Sequence, residues 1–310
     1  MTQSLVWNAT ENRLRAGWRL LIQSVLFAVP TLSLSLAGVY TMSDWLPATV
    51  TATMLPLTLV SVYLLGRFVD RRHFSDYGLQ LRERRWWSDY GTGLLIGVLA
   101  TAVFANLVDL LGWGNIRQGG YGTALTGSPI VAVLIGILTY AGVGIFEELL
   151  RAYQIRNLSE GLAGGRLGTT GALLAGVFGA ALWSVLAHAA SGDSMFLVYI
   201  LVTSMIYGLF FLWTGRAALA MSVHFAWDFA MSHIFAFGTF GGTRTSLFVV
   251  TIHGNHEVGF QIVGITAKLV ILLLVALWVR WREGRIQLHK ELNDPTLVQR
   301  MSIEVRPRSL

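Results

Sequence analysis

Pro129-Ile-Val-Ala-Val-Leu-Ile-Gly-Ile-Leu-Thr-Tyr-Ala-Gly-Val-Gly-Ile-Phe-Glu-Glu-Leu-Leu-Arg-Ala-Tyr-Gln-Ile155 is apolar from its start to Phe146 and then carries two glutamates and an arginine. A hydrocarbon layer about 30 Å thick is crossed by roughly 20 helical residues, so this stretch is long enough to span it. An ionisable side chain inside a span costs about 2.5–3.5 kcal/mol on insertion scales; such groups therefore face a polar cavity or one another and mark functional sites. Glu147 lies about two helical turns inside the end of the span drawn at 155.

Working outward, composition supplies the membrane. The 310 residues are 54% hydrophobic and only 13% charged, against about 25% charged in a soluble domain. Runs long enough to cross a bilayer fall at about 18–40, 47–66, 91–112, 129–155, 169–190, 195–214, 217–237 and 259–280. The fold expected is therefore all-α: a polytopic membrane protein of about eight transmembrane helices around a polar intramembrane cavity. Residues 1–281 form one membrane domain in this reading, and 282–310 a polar tail with a short helix over Arg285–Leu292 ended by Asp294-Pro295. The N-terminus shows no cleavage site after its first apolar run, which reads as a retained span.

Cytoplasmic loops are enriched in Lys and Arg. With both termini inside, Arg13, Arg15, Arg19, Arg67, Arg71, Arg72, Arg82, Arg84, Arg85, Arg156, Arg166 and Arg216 all fall on the cytoplasmic side, and only Arg117 and Arg244 outside. The net charge of +6 is thus that of basic membrane-flanking loops, and nucleic acid is not an expected partner. Trp45, Trp86-Trp87 and Trp278 fall near span boundaries, where amphipathic rings prefer to sit. The absence of cysteine excludes disulfides and thiolate chemistry.

Three apolar segments carry the candidate chemistry. In the first, Arg151 is four residues from Glu147 and three from Glu148, so on a helix it reaches either carboxylate. The second, Ala180-Ala-Leu-Trp-Ser-Val-Leu-Ala-His-Ala-Ala-Ser-Gly-Asp193, ends its apolar run on His188. In the third, Ala220-Met-Ser-Val-His-Phe-Ala-Trp-Asp-Phe-Ala230, His224 and Asp228 stack one turn apart on one face. Each segment alone also admits a bland role: an ion pair finishing a span, a packed histidine, a hydrogen-bonded pair.

Together, and in this order, the motifs resemble those of the CAAX-protease and bacteriocin-processing (CPBP, ABI) family, intramembrane proteases related to the type II CAAX prenyl endopeptidases. Upstream, Asp70-Arg-Arg-His-Phe-Ser-Asp-Tyr-Gly-Leu-Gln-Leu81, the Trp pair and a glycine-rich span are similar to bacterial members, which puts the protease core at about 91–237 and the protein in a bacterial cytoplasmic membrane. The resemblance implies hydrolysis of peptide bonds in membrane-associated or lipidated substrates. Glu147 is then the general base, Glu148 its alternate, His188 a second holder of the water, His224 and Asp228 the groups facing the scissile carbonyl, and Arg151 the support. The sequence departs from the family pattern in two places. Glu-Glu-x-x-x-Arg is one residue short here, and Ser184 stands where the Phe-x-x-x-His motif has Phe, a change expected to affect packing alone. Asp228 fits a position where the family allows Asn or Asp, but an Asp donates to an oxyanion only if protonated.

Glu147, His188, His224 and Asp228 also offer ligands for a divalent metal such as zinc, though no close-spaced ligand motif is present; the reading here is metal-independent. Membrane lipids and a peptide or protein substrate are the partners implied. A scaffold of the same fold and a proton-coupled transporter are the rival readings. One difficulty is depth: His188 falls at the far end of a fifth span drawn from 169, away from Glu147, so the fifth helix is expected to begin deeper or tilt. His73 and His289 fall in cytoplasmic segments, and His233, His253 and His256 near or in the outer loop. Lys268, inside the last span, is expected to snorkel or to contact Asp109 or Glu257.

Overall fold

The computed structural model describes residues 5–8, 12–36, 46–119, 128–163, 166–189, 193–237, 246–254, 257–289 and 292. Eight α-helices make up most of the chain: α1 (Ala16–Leu36), α2 (Leu46–Leu64), α3 (Arg84–Leu110), α4 (Pro129–Ala163), α5 (Gly168–Ala187), α6 (Ser194–Thr214), α7 (Ala218–Phe229) and α8 (Glu257–Glu283). A π-helical segment, Leu65–Asp70, prolongs α2. Among the described residues six helices are long and apolar enough to cross a membrane, which makes this an integral membrane protein.

Two of the eight expected spans are not among these six. Among the described residues the first apolar run counts as a shorter apolar helix, Ala16–Val29, below that length. The seventh is a 12-residue helix continued by a π-helical turn, Ala230–Ile234, and then by a strand. The chain is mostly helical, as expected, and adds two small sheets. β3 (Gly114–Gln118), β4 (Phe235–Phe237) and β5 (Phe248–Ile252) form a sheet in the order β3-β5-β4, antiparallel on one side and parallel on the other. A two-residue pair, β1 (Trp7–Asn8) with β2 (Arg13–Leu14), precedes α1. Phe237 and Val250 of the larger sheet pack into the same apolar core as Phe104, Trp227 and Phe260.

α4 runs eight residues past the end drawn from hydropathy. Polar residues begin there, yet they are buried against partners instead of ending the helix. Asp70, fully buried, accepts hydrogen bonds from Tyr77 (2.6 Å), Tyr153 (3.2 Å) and Asn157 (3.0 Å). Glu160 accepts from Arg72 (2.6 Å) and Arg19 and is ion-paired with Arg13 at 3.0 Å, and Arg156 donates to the carbonyl of Asp76 at 3.0 Å. Paired in this way, charges that would otherwise carry a large desolvation cost hold the last turns of α4 to α1 and to the segment after α2. The Asp70–Tyr77 stretch, read earlier only as a likeness, is thus the clamp on the helix that carries the glutamates.

A second clamp fixes α7. Arg216, just before it, donates to Asp89 of α3 at 2.7 Å, and Trp278 of α8 donates to the other oxygen of Asp89 at 3.0 Å. α7 then lies closely against α3 and α4, and glycine makes that approach possible: a Cβ on Gly144 would stand 2.7 Å from the carbonyl oxygen of Met221, and one on Gly97 2.7 Å from the Cβ of Ala226. Of the boundary tryptophans, Trp86 is buried and donates to Gly78 O at 2.9 Å, so it serves the core and not an interface belt. Trp87 is exposed, and Trp45 lies outside the described residues.

The tail does not form the expected helix across 285–289. The His289 N–H donates to Leu212 O at 2.8 Å, and Leu288 and Leu292 pack into the core around the end of α6. Asp294-Pro295, Arg244 and His256 lie outside the described residues.

Candidate active site

The local structure brings the three segments together. α4 and α5 form an antiparallel hairpin in which Gly176 packs on Ser159 and Ser184 receives a hydrogen bond from Arg151. Continuing that register by four residues brings His188, at the C-terminal cap of α5, level with Glu147. The depth difficulty is therefore removed from the other side: α5 does not begin deeper, but α4 reaches further, so a helix of ordinary length ends at the glutamates. Asp193 then caps α6, accepting from the backbone N–H groups of Met195 (2.9 Å) and Phe196 (3.2 Å), and α6 starts at the same level.

Glu147, Arg151, His188, His224 and Asp228 all line one cavity of about 230 Å³, together with Tyr140, Tyr199, Tyr207, Trp227 and Lys268. The two glutamates have different surroundings. The Glu148 side chain is 2% exposed and paired with Arg151, whose side chain is 5% exposed, and it also accepts from His224 Nδ1 at 2.8 Å. Glu147, 24% exposed, faces the cavity, and its nearest ionisable partner is His224 Nε2 at 4.0 Å. Arg151 thus selects Glu148, three residues away, and not Glu147, four away. Its other NH group lies 3.3 Å from both Ser184 Oγ and Ser204 Oγ, and the guanidinium stands over the Tyr207 ring.

His224 is held at both nitrogens, by Glu148 on Nδ1 and by Asp228 on Nε2 at 3.2 Å. Carboxylates only accept, so both contacts are hydrogen bonds when the ring is the doubly protonated imidazolium. In this arrangement Asp228 is an acceptor that orients His224. His188 is fixed differently: its Nδ1 lies 2.8 Å from the carbonyl oxygen of Ser184. A carbonyl only accepts, so Nδ1 carries the hydrogen, and in the neutral ring Nε2 is left with its lone pair.

These donors were tested as a metal site. Among the described residues no three His, Asp or Glu side chains converge as ligands, and both His224 nitrogens are turned to carboxylates instead of offering a lone pair. The residues in this arrangement do not fit a zinc centre, and no step below is routed through a metal.

Sequence reasoning missed several lining groups. Lys268 does not contact Asp109, whose carboxylate accepts from the Ile116 N–H at 3.1 Å; the side chain of Glu257 lies outside what is described. Lys268 is 1% exposed, donates to Tyr207 Oη at 2.9 Å and sits 3.7 Å from the centre of the Trp227 ring. The rule that singled out Glu147, an ionisable group inside a span, applied equally to Lys268. Ser184 was assigned to packing, yet its hydroxyl binds Arg151 and its carbonyl fixes His188. His233, expected near or in the outer loop, is buried in the π-helical turn against Phe229 and Tyr140. His253 is at the sheet edge, 2.7 Å from Asn115 Nδ2.

Four helices that carry the constellation, α4 to α7, coincide with a stretch that comparison recognises. Residues 129–230 match the family of type II CAAX prenyl endopeptidases, Rce1-like. This Rce1-like segment spans about a third of the chain and includes every motif from Glu147 to Asp228. It ends before Lys268. No curated protein and no solved structure matches the chain.

Proposed function

We propose that the protein is an intramembrane endopeptidase that hydrolyses peptide bonds of membrane-associated or lipidated substrates with a water activated by Glu147. The observation that carries this reading is the pairing, on one cavity, of a partly exposed carboxylate without an arginine and a histidine whose free nitrogen is dictated by a carbonyl. A water between them donates one hydrogen to Glu147 and the other to His188 Nε2, which leaves an oxygen lone pair for the scissile carbonyl.

As the C–O bond forms, Glu147 takes the proton and the carbonyl oxygen becomes an oxyanion. His224, its Nε2–H oriented by Asp228, faces that oxygen. Glu147 then gives the proton to the leaving nitrogen, the C–N bond breaks, and an acid and an amine leave. General acid–base catalysis of this kind contributes about 10²- to 10⁴-fold. Glu148 is in this scheme a positioning residue: bonded to Arg151 and His224, it ties α4 to α7.

Residues 1–281 act as one membrane unit with the N-terminal and C-terminal ends on the cytoplasmic side, a reading supported by the arginines gathered around Glu160, Asp70 and Asp89 at one end of the bundle. The test is terminal-peptide mass spectrometry on membranes incubated with purified wild type or Glu147→Gln. Peptides that accumulate only with the wild type are expected; identical peptide sets, with both proteins folded, would overturn the assignment.

A further inference from the structure

Lys268 is the one cavity-lining charge that the proposed chemistry does not use, and its setting is unusual for a lysine. It comes from α8, outside the Rce1-like segment. Its ammonium is fully buried, its hydrogen-bond partner is the neutral Tyr207 hydroxyl, and the Trp227 face lies directly beneath it. Among the described residues no carboxylate is ion-paired with it, although three carboxylates, Glu147, Glu148 and Asp228, belong to the same cluster. A buried cation held by an aromatic face and a hydroxyl keeps its charge free for another partner. Arg151 and a doubly protonated His224 balance two of the three carboxylates; Lys268 balances the third without touching it.

We propose that Lys268 is a further catalytic residue of this site, the second donor to the oxyanion of the tetrahedral intermediate. The inference rests on the endopeptidase reading. When water adds to the carbonyl, a proton moves to Glu147 and the negative charge passes from that carboxylate to the carbonyl oxygen. The cavity keeps its net charge, and the anion moves from one wall towards another. His224 Nε2–H is already shared with Asp228, and Asp228 itself accepts, so those two groups supply one hydrogen bond at most to the new anion. The Lys268 ammonium has three N–H groups and gives one to Tyr207. A donor set in place before reaction stabilises the transition state without reorganising.

The experiment compares wild type, Glu147→Gln and Lys268→Met, purified whole and assayed on native membranes. Initial rates are taken for the peptides whose appearance depends on Glu147. Loss of an oxyanion donor is expected to lower kcat by about 10²- to 10³-fold, with KM unchanged and the thermal midpoint of Lys268→Met equal to or above that of the wild type. Propylammonium added to Lys268→Ala is expected to restore part of the rate, whereas butane-1-ol, neutral and of similar size, is not. A kcat within threefold of the wild type, with Glu147→Gln inactive, overturns the role of Lys268 and leaves the protease standing. If no Glu147-dependent peptide appears, both fall. Should Lys268→Met not fold, Lys268→Ala, which also removes every N–H donor, is read against the same kcat thresholds.

Discussion

Exchanging each glutamate for glutamine separates two roles that adjacent identical residues conceal. Glu148→Gln leaves the Arg151 guanidinium, 5% exposed, with only the two serine hydroxyls and an aromatic face. Removing one partner of a buried ion pair costs about 3–5 kcal/mol, because the remaining charge keeps its desolvation penalty. That is roughly a 150- to 5,000-fold change in the folded-to-unfolded ratio. The same substitution replaces the charged acceptor of His224 Nδ1 with a neutral amide. Glu147→Gln removes a charge that is 24% exposed and 4.0 Å from its nearest partner, so its effect on stability is expected to stay under about 1 kcal/mol. Its effect on cleavage is the reverse, a loss of about 10²- to 10⁴-fold. Reversible unfolding in mixed micelles followed by tryptophan fluorescence gives the stabilities, and peptide release gives the rates. The reasoning fails if the two variants are equally destabilised, or if Glu148→Gln is stable and inactive while Glu147→Gln still cleaves.

Three further outcomes are expected. Gly144→Ala puts a methyl group 2.7 Å from Met221 O, an overpacking worth about 1–3 kcal/mol; it is expected to move α7 off α4 and reduce cleavage, read by melting and by rate together. Ser184→Phe removes a hydrogen bond to a charged partner, a contribution of about 1.5–3 kcal/mol, and is expected to lower stability and slow cleavage, the second because Phe also crowds the turn that holds His188. A strong zinc chelator, added to protein that has been dialysed against it, is expected to leave the rate unchanged; inhibition reversed by zinc and by no other addition would place a metal in the reaction.

Much of the helical layout was legible because apolar length reports directly on the energy of crossing lipid, and each of the eight runs drawn from hydropathy does contain a helix. What hydropathy misplaced was the end of α4. A window that counts polar residues treats Arg156, Asn157 and Glu160 as the start of water, but their partners, Asp76, Asp70 and a set of arginines, come from segments 80 or more residues away in the chain. The false depth conflict between Glu147 and His188 followed from that single boundary. The outer sheet was hidden for a related reason: β4 continues an apolar helix without any break in composition, and its pairing with β5 is long-range. Lys268 was visible as an anomaly but not as a member of the site, since nothing local places α8 beside α6 and α7.

The spacing in the first motif is the clearest case of a sequence oddity with a physical resolution. Counted along the chain, Glu148 and Arg151 are one residue closer than the family pattern. On a helix, three and four residues are both neighbouring distances, so the pair still forms, but the arginine emerges about 100° further round. That rotation carries the guanidinium towards α5 and α6. A phenyl ring at position 184 would meet it there with an apolar edge; Ser184 meets it with an oxygen, and Ser204 supplies a second. The shortened spacing on α4 and the serine on α5 thus meet in one contact, between Arg151 and Ser184 Oγ. Arg151 keeps its carboxylate and gains hydroxyl partners, and Glu147, released from any arginine, is left to face the cavity.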